Sequence, residues 1–173
     1  AQVKARVGEY IYAVDDENME EVVAKLLKDN CLTVACAESC TGGMLASRLT
    51  SISGSSMYIK GSIVTYSNEA KMKFLDVDKE ILDTKGAVSP EVAKQMAEGV
   101  RKAVGSDIGV GITGIAGPTG GTDKKPVGLV YIAVAGKDNT VVKENIFSGD
   151  RARVRYRSTQ QALEMIRQYI KNK

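Results

Sequence analysis

The chain has 173 residues, 43% apolar and 26% charged, with 24 basic against 21 acidic side chains. That length suffices for one domain with its own core, and a net charge of +3 is too balanced to argue by itself for a nucleic-acid partner. No apolar run approaches the ~18–20 residues of a membrane span, and the opening "AQVKARVGEY" has no apolar signal core, so a cytoplasmic address is the expectation.

The chain contains no histidine. This excludes Ser-His-Asp and Cys-His catalysis within it, and all imidazole metal ligation. A base must come from Lys, Asp, Glu, Tyr or a terminal amine. Cys31, Cys36 and Cys40 crowd into ten residues, a poor disulfide framework. They read as reduced thiols in small buried slots. There is no CxxC pair, and three close cysteines alone make a weak zinc site.

In chain order, residues 3–14 read as an arm or an incoming strand. A helix comes next, capped by Asp16 or Asn18, with Met19, Val22, Val23, Leu26 and Leu27 as its apolar stripe. "CLTVACAE" reads as a buried strand, and "TGGMLASRLTS" as a helix starting at the glycines. "GSIVTYS" is a second strand, and "NEAKMKFL" a helix capped by Ser67 or Asn68. "SPEVAKQMAEGVRKAVG" carries the clearest helix signals, with Ser89 as cap, Pro90 at the first position and Gly105 as stop. "DIGVGITG" is a third strand, succeeded by an irregular Gly- and Pro-rich loop over 115–128. "LVYIAVAG" and "VVKENIFSG" form a hairpin around "KDNT", and a long helix starts near Asp150. Strands alternating with helices, then a hairpin, predict a three-layer α/β/α sandwich with a mixed central sheet. Residues 19–173 are expected to form the domain, and residues 1–18 an N-terminal arm or linker.

Several stretches carry possible chemistry. In "ACAESCTGG", Ser39 comes after a strand and precedes a helix start. Backbone N–H groups there stabilise an alkoxide or an oxyanion. Ser39 is a candidate nucleophile or an ordinary cap, and Cys40 competes with it; the local sequence does not choose. Lys71 falls in the first turn of its helix, against the helix dipole and against the Glu or Gln of a capping box. A lysine there reads either as a base with a lowered pKa or as a solvated surface residue. Tyr66 lies at the carboxyl end of its strand, where α/β sheets place their sites. "GVGITG" matches GxGxxG in letters, but the residues after it, "IAGPTGG", cannot open a helix, so the dinucleotide reading is rejected. "TGIAGPTGG" can hold a phosphate or a sugar edge through backbone N–H groups, or serve as a purely structural turn. Arg151 and Arg155 share one helix face in a way that suits a phosphate or a salt-bridged surface, with Arg153 and Arg157 on a neighbouring face. Interleaved aromatics that would suit nucleic acid are nearly absent.

"AESCTGG", "VTYSNEAK", "GAVS", "GITGIAGPTGG…KPVG" and "FSGDR…R" occur in one order. Together they resemble the CinA C-terminal domain family, the nicotinamide mononucleotide (NMN) deamidases, over about residues 19–170. The resemblance implies an amidohydrolase that converts NMN to nicotinic acid mononucleotide and ammonia. It implies Ser39 as nucleophile, Lys71 as base and Tyr66 as assistant. It places Thr41, Gly42 and Gly43 at the oxyanion or substrate, Thr113, Gly114 and Gly117 near the ligand, and Arg151 and Arg155 near its phosphate. It implies no metal or organic cofactor, a homodimer, and a separate N-terminal domain in longer relatives. The competing expectation is a nucleotide-binding or regulatory domain without catalysis; direct nucleic-acid binding is not expected.

Overall fold

A computed structural model describes residues 16–172. The arm expected over residues 1–18 therefore lies outside the described residues except for its last three. The elements run α1 (Met19–Asp29), β1 (Val34–Glu38), α2 (Met44–Thr50), β2 (Ile59–Val64), α3 (Asn68–Leu75), α4 (Lys79–Lys85), α5 (Pro90–Val104), β3 (Ile108–Gly114), β4 (Leu129–Ala135), β5 (Thr140–Ile146) and α6 (Arg151–Lys171). No helix among the described residues is long and apolar enough to cross a membrane.

The sheet order is β2-β1-β3-β4-β5. β1 runs parallel to both β2 and β3, whereas β3–β4 and β4–β5 pair antiparallel. Helices α1, α2 and α6 cover one face, packing on Val34, Cys36, Val110 and Ile132; α3, α4 and α5 cover the other, over Ala35 and Ala37. This is the expected three-layer sandwich. The two faces differ in side-chain size, and that difference explains the "GVGITG" string. A Cβ on Gly109 or Gly111 would run into the backbone carbonyls of Ala97 and Ala93 on α5. The glycines therefore let a helix lie close on the sheet, which is why they imitate a nucleotide fingerprint without being one.

Local differences from the sequence reading have local causes. β1 starts at Val34 rather than Cys31, because Thr33 is tied to Asp107 through its N–H and hydroxyl at 2.8 and 2.6 Å. Cys31 is exposed, so only Cys36 and Cys40 occupy the buried slots expected of all three thiols. Ser67, not Asn68, caps α3, accepting the Ala70 N–H at 3.1 Å. Lys71 is thus one residue beyond the capping-box position, and its oddity lies in its burial rather than in a broken capping rule. Helix α4 has no counterpart among the predicted elements; it has seven residues, with Leu82 its buried side chain, too few for periodicity to register. The Ser89 cap, Pro90 start and Gly105 stop of α5 fall where expected, as does the Asp150 cap of α6.

The turn from β1 into α2 is organised by a residue to which the sequence pattern assigns no role. Glu38 is fully buried. Its Oε2 accepts the N–H groups of Gly43 at 3.0 Å and Leu45 at 3.1 Å, and its Oε1 accepts that of Ala46 at 2.9 Å. One carboxylate thus satisfies three N–H donors at the start of α2, two of them among the helix's otherwise orphaned first-turn groups, and places a negative charge at the positive end of the helix. Gly43 supports the turn with a left-handed φ of 91°. Glu38→Gln is expected to lower stability by about 1.5–3 kcal/mol, since an amide nitrogen cannot accept an N–H. Gly111→Ala should cost about 1–3 kcal/mol through the clash with α5. Urea denaturation of both proteins checks these values.

Candidate active site

The site forms where three parallel strands end together. β1, β2 and β3 all point their carboxyl ends the same way, with β1 in the middle. Ser39 comes directly after β1, Thr65 and Tyr66 after β2, and the glycine loop after β3. The Ser39 N–H donates to the Ile112 carbonyl of β3 at 3.0 Å, and its own carbonyl accepts the Gly42 N–H at 3.1 Å. The backbone under the hydroxyl is therefore held on both sides. Helix α3 then returns Lys71 across this end of the sheet.

Lys71 is 1% exposed. Its Nζ lies 3.3 Å from Ser39 Oγ and donates to the Thr65 carbonyl at 2.8 Å. No carboxylate pairs with it among the described residues. Burial disfavours the ammonium form and holds the Lys71 pKa below its ordinary value, against a lesser opposing effect from Cys40. The Cys40 thiol moves the other way: burial pushes its pKa up to about 11. It stays protonated at neutral pH and is a poor nucleophile. The choice between Ser39 and Cys40 that the local sequence leaves open is thus weighted toward Ser39 by the position of the amine and the state of the thiol.

Ser39, Cys40, Tyr66, Lys71, Thr113, Gly114, Gly117 and Arg151 line a cleft of about 350 Å3. Asn68, Ala87, Val88, Thr119 and Gly120 help to complete it. The Thr113 hydroxyl donates to the Ala87 carbonyl at 2.7 Å. Lys125 Nζ donates to the carbonyls of Lys85 and Val88 at 2.6 and 2.7 Å. The wall carrying Ala87 and Val88 is therefore fastened to the strand end and to the glycine loop. The sequence pattern assigns no role to Asn68 in the cleft or to Lys125. "GAVS" and "KPVG" stand out as motifs, but only the fold shows that one braces the other.

Four expected residues stand elsewhere. Thr41 is fully buried, and its carbonyl accepts from Arg155 Nη2 at 2.7 Å. Arg155 thus braces the turn and does not line the cleft. The Gly43 N–H is taken by Glu38 and the Gly42 N–H by the Ser39 carbonyl, so neither is free for an oxyanion. The N–H groups of Cys40 and Thr41 have no backbone partner among the described residues, and they sit directly after the candidate nucleophile. Tyr66 is 62% exposed, and its hydroxyl accepts from Arg151 Nη2 at 3.0 Å instead of bonding to Ser39 or Lys71. Arg157 bonds Ser148 and takes no part in the cleft. Among the described residues no group of Cys, Asp or Glu has the arrangement to hold a metal ion.

Comparison with known proteins agrees with this fold. The CinA C-terminal domain matches residues 16–170. A Moorella thermoacetica protein named for competence and damage induction is 54% identical over 164 residues, covering 95% of this chain and 40% of that protein. A CinA-like protein of Kosmotoga olearia is 49% identical, covering 98% of this chain and 41% of its own length. The chain thus spans about 40% of the length of the curated relatives it matches. The crystal structure of the competence/damage inducible protein CihA from Agrobacterium tumefaciens superposes with a TM-score of 0.83 at 40% identity, covering 89% of this chain and 96% of that one. A CinA superfamily protein from Klebsiella pneumoniae does so at 0.86 and 31% identity, covering 91% and 100%. The chain belongs to the CinA C-terminal domain family.

Proposed function

We propose that this domain is an amidohydrolase that converts NMN to nicotinic acid mononucleotide and ammonia, with Ser39 as nucleophile and Lys71 as general base. One observation carries the reading: a buried lysine with no carboxylate partner among the described residues, 3.3 Å from a serine hydroxyl in a cleft. A buried amine whose pKa is lowered by desolvation is a base that this histidine-free chain can supply. The choice of NMN rests on the resemblance to the family's deamidases.

In this mechanism the neutral Lys71 amine accepts the Ser39 proton as Oγ attacks the carboxamide carbon. The N–H group of Cys40, a residue that lines the cleft, is the donor we assign to the developing oxyanion. The Lys71 ammonium gives its proton to the amide nitrogen, the C–N bond breaks and ammonia departs. An ester to Ser39 remains. Lys71 then takes a proton from water, hydroxide adds to the ester carbonyl, and the C–O bond to Ser39 breaks. Ser39 regains its proton from Lys71, and the carboxylic acid product leaves and ionises, its proton passing through solvent to the released ammonia.

Ammonia release from NMN tests the reading. Ser39→Ala should reduce it to background, and Lys71→Met should lower it by about 10²–10⁴-fold. Binding of NMN with no turnover by the wild type would instead support a nucleotide-binding domain. Because Lys71 must be neutral to act, the wild-type rate should rise with pH and level off below the ordinary lysine value of 10.5. That limb should be absent from Lys71→Met. Stability carries the same signature. Between the lowered pKa and 10.5 the unfolded chain binds more protons than the folded one, so wild-type stability should rise with pH across that window. Denaturation at a series of pH values, beside Lys71→Met, isolates this contribution.

A further inference from the structure

One cation spans the mouth of the cleft. Arg151 is exposed at the first position of α6. Its Nη1 donates to the Gly117 carbonyl at 3.0 Å, and its Nη2 to the Tyr66 hydroxyl oxygen at 3.0 Å. Both acceptors are neutral. No carboxylate pairs with Arg151 among the described residues, and the neighbouring Asp150 caps α6 through the Arg153 N–H. A guanidinium held by neutral acceptors exchanges them readily for a phosphate, which offers two anionic oxygens to its fork of donors and makes stronger bonds. The same guanidinium is the hydrogen-bond partner of Tyr66, a residue 62% exposed in the link between β2 and α3. Tyr66 and the Ser39–Lys71 pair line one cleft, yet its hydroxyl is engaged at the rim and not with the pair.

We propose that Arg151 is a phosphate-operated switch on Tyr66. A substrate phosphate takes the guanidinium, and the released Tyr66 hydroxyl turns inward to the Ser39–Lys71 pair. The proposal rests on the amidohydrolase reading for its chemistry, but the exchange itself rests on the Arg151–Tyr66 contact. Arg151 is then a positioning residue, acting on the reaction through Tyr66. The phosphate is read as turnover and not only as affinity, because its binding energy completes the site. The site therefore discriminates a carboxamide mononucleotide from the corresponding nucleoside mainly in kcat.

Two measurements test this separately from the function. The first compares NMN with nicotinamide riboside, the same substrate without phosphate, and adds inorganic phosphate to the riboside reaction. Phosphate should raise the riboside kcat about tenfold or more in the wild type, with little change in KM, and should fail to do so in Arg151→Gln and in Tyr66→Phe. A riboside kcat that ignores phosphate while NMN is deamidated overturns the proposal. So does equal activation in either variant. The second measurement needs no catalysis. The chain is labelled with fluorotyrosine, the Tyr66 signal is assigned by its loss in Tyr66→Phe, and inorganic phosphate is titrated. The Tyr66 fluorine signal should move in the wild type and stay fixed in Arg151→Gln. A stationary signal at saturating phosphate, no phosphate binding, or the same movement in Arg151→Gln overturns the switch. A moving signal in a protein that does not deamidate NMN upholds the exchange and refutes the amidohydrolase reading.

Discussion

The burial of the Lys71 amine against Ser39, with no carboxylate among the described residues to neutralise it, is the constraint around which this end of the molecule is arranged. A charged lysine in that position carries a desolvation cost that only a counter-charge or loss of its proton relieves. No carboxylate pairs with it among the described residues, so the environment favours the neutral amine, and a neutral amine is a base. The Thr65 carbonyl orients Nζ without adding charge. A carboxylate in its place would hold the proton on the lysine and remove the property that makes the pair useful.

Two further devices let that burial coexist with a folded domain. The buried carboxylate of Glu38 has its oxygens occupied by N–H groups of the turn into α2, which fixes the turn carrying Ser39. Arg155 braces the same turn from α6 through the Thr41 carbonyl. Both charged groups thus act on backbone, and the cleft is left to Ser39, Lys71 and the rim residues. On the far wall, Lys125 and Thr113 hold the backbone around Ala87 and Val88 in the same manner. Side chains bonded to carbonyls and N–H groups confer rigidity without competing for the reacting groups.

Much of the architecture is legible in the chain because its signals are local. Capping residues, the Pro90 start, the Gly105 stop and the alternation of apolar runs with glycine-rich breaks place α5, α6, β3 and β4 nearly to the residue. Helix α4 escapes because seven residues hold too little periodicity. Among site residues, Ser39 and Lys71 are legible as candidates. The roles of Thr41, Gly42, Gly43 and Arg155 are not, because each depends on which hydrogen-bonding group a neighbour has already taken. Glu38 is silent for a related reason: a glutamate at a strand end gives no hint that the next helix will fold back onto its carboxylate.

Local propensity and patterning were enough to set the class of fold, and the absence of histidine narrowed the chemistry to the few residue types left to act. Which of those residues meet is a matter of tertiary contact. Lys71 loses water only because α3 returns over the strand ends. The Cys40 thiol is held further from its thiolate only because it is buried, and Tyr66 is engaged at the rim only because α6 brings Arg151 to it. These are consequences of solvent exclusion and of contacts between residues distant in the chain, and neither is a property of any local stretch of sequence.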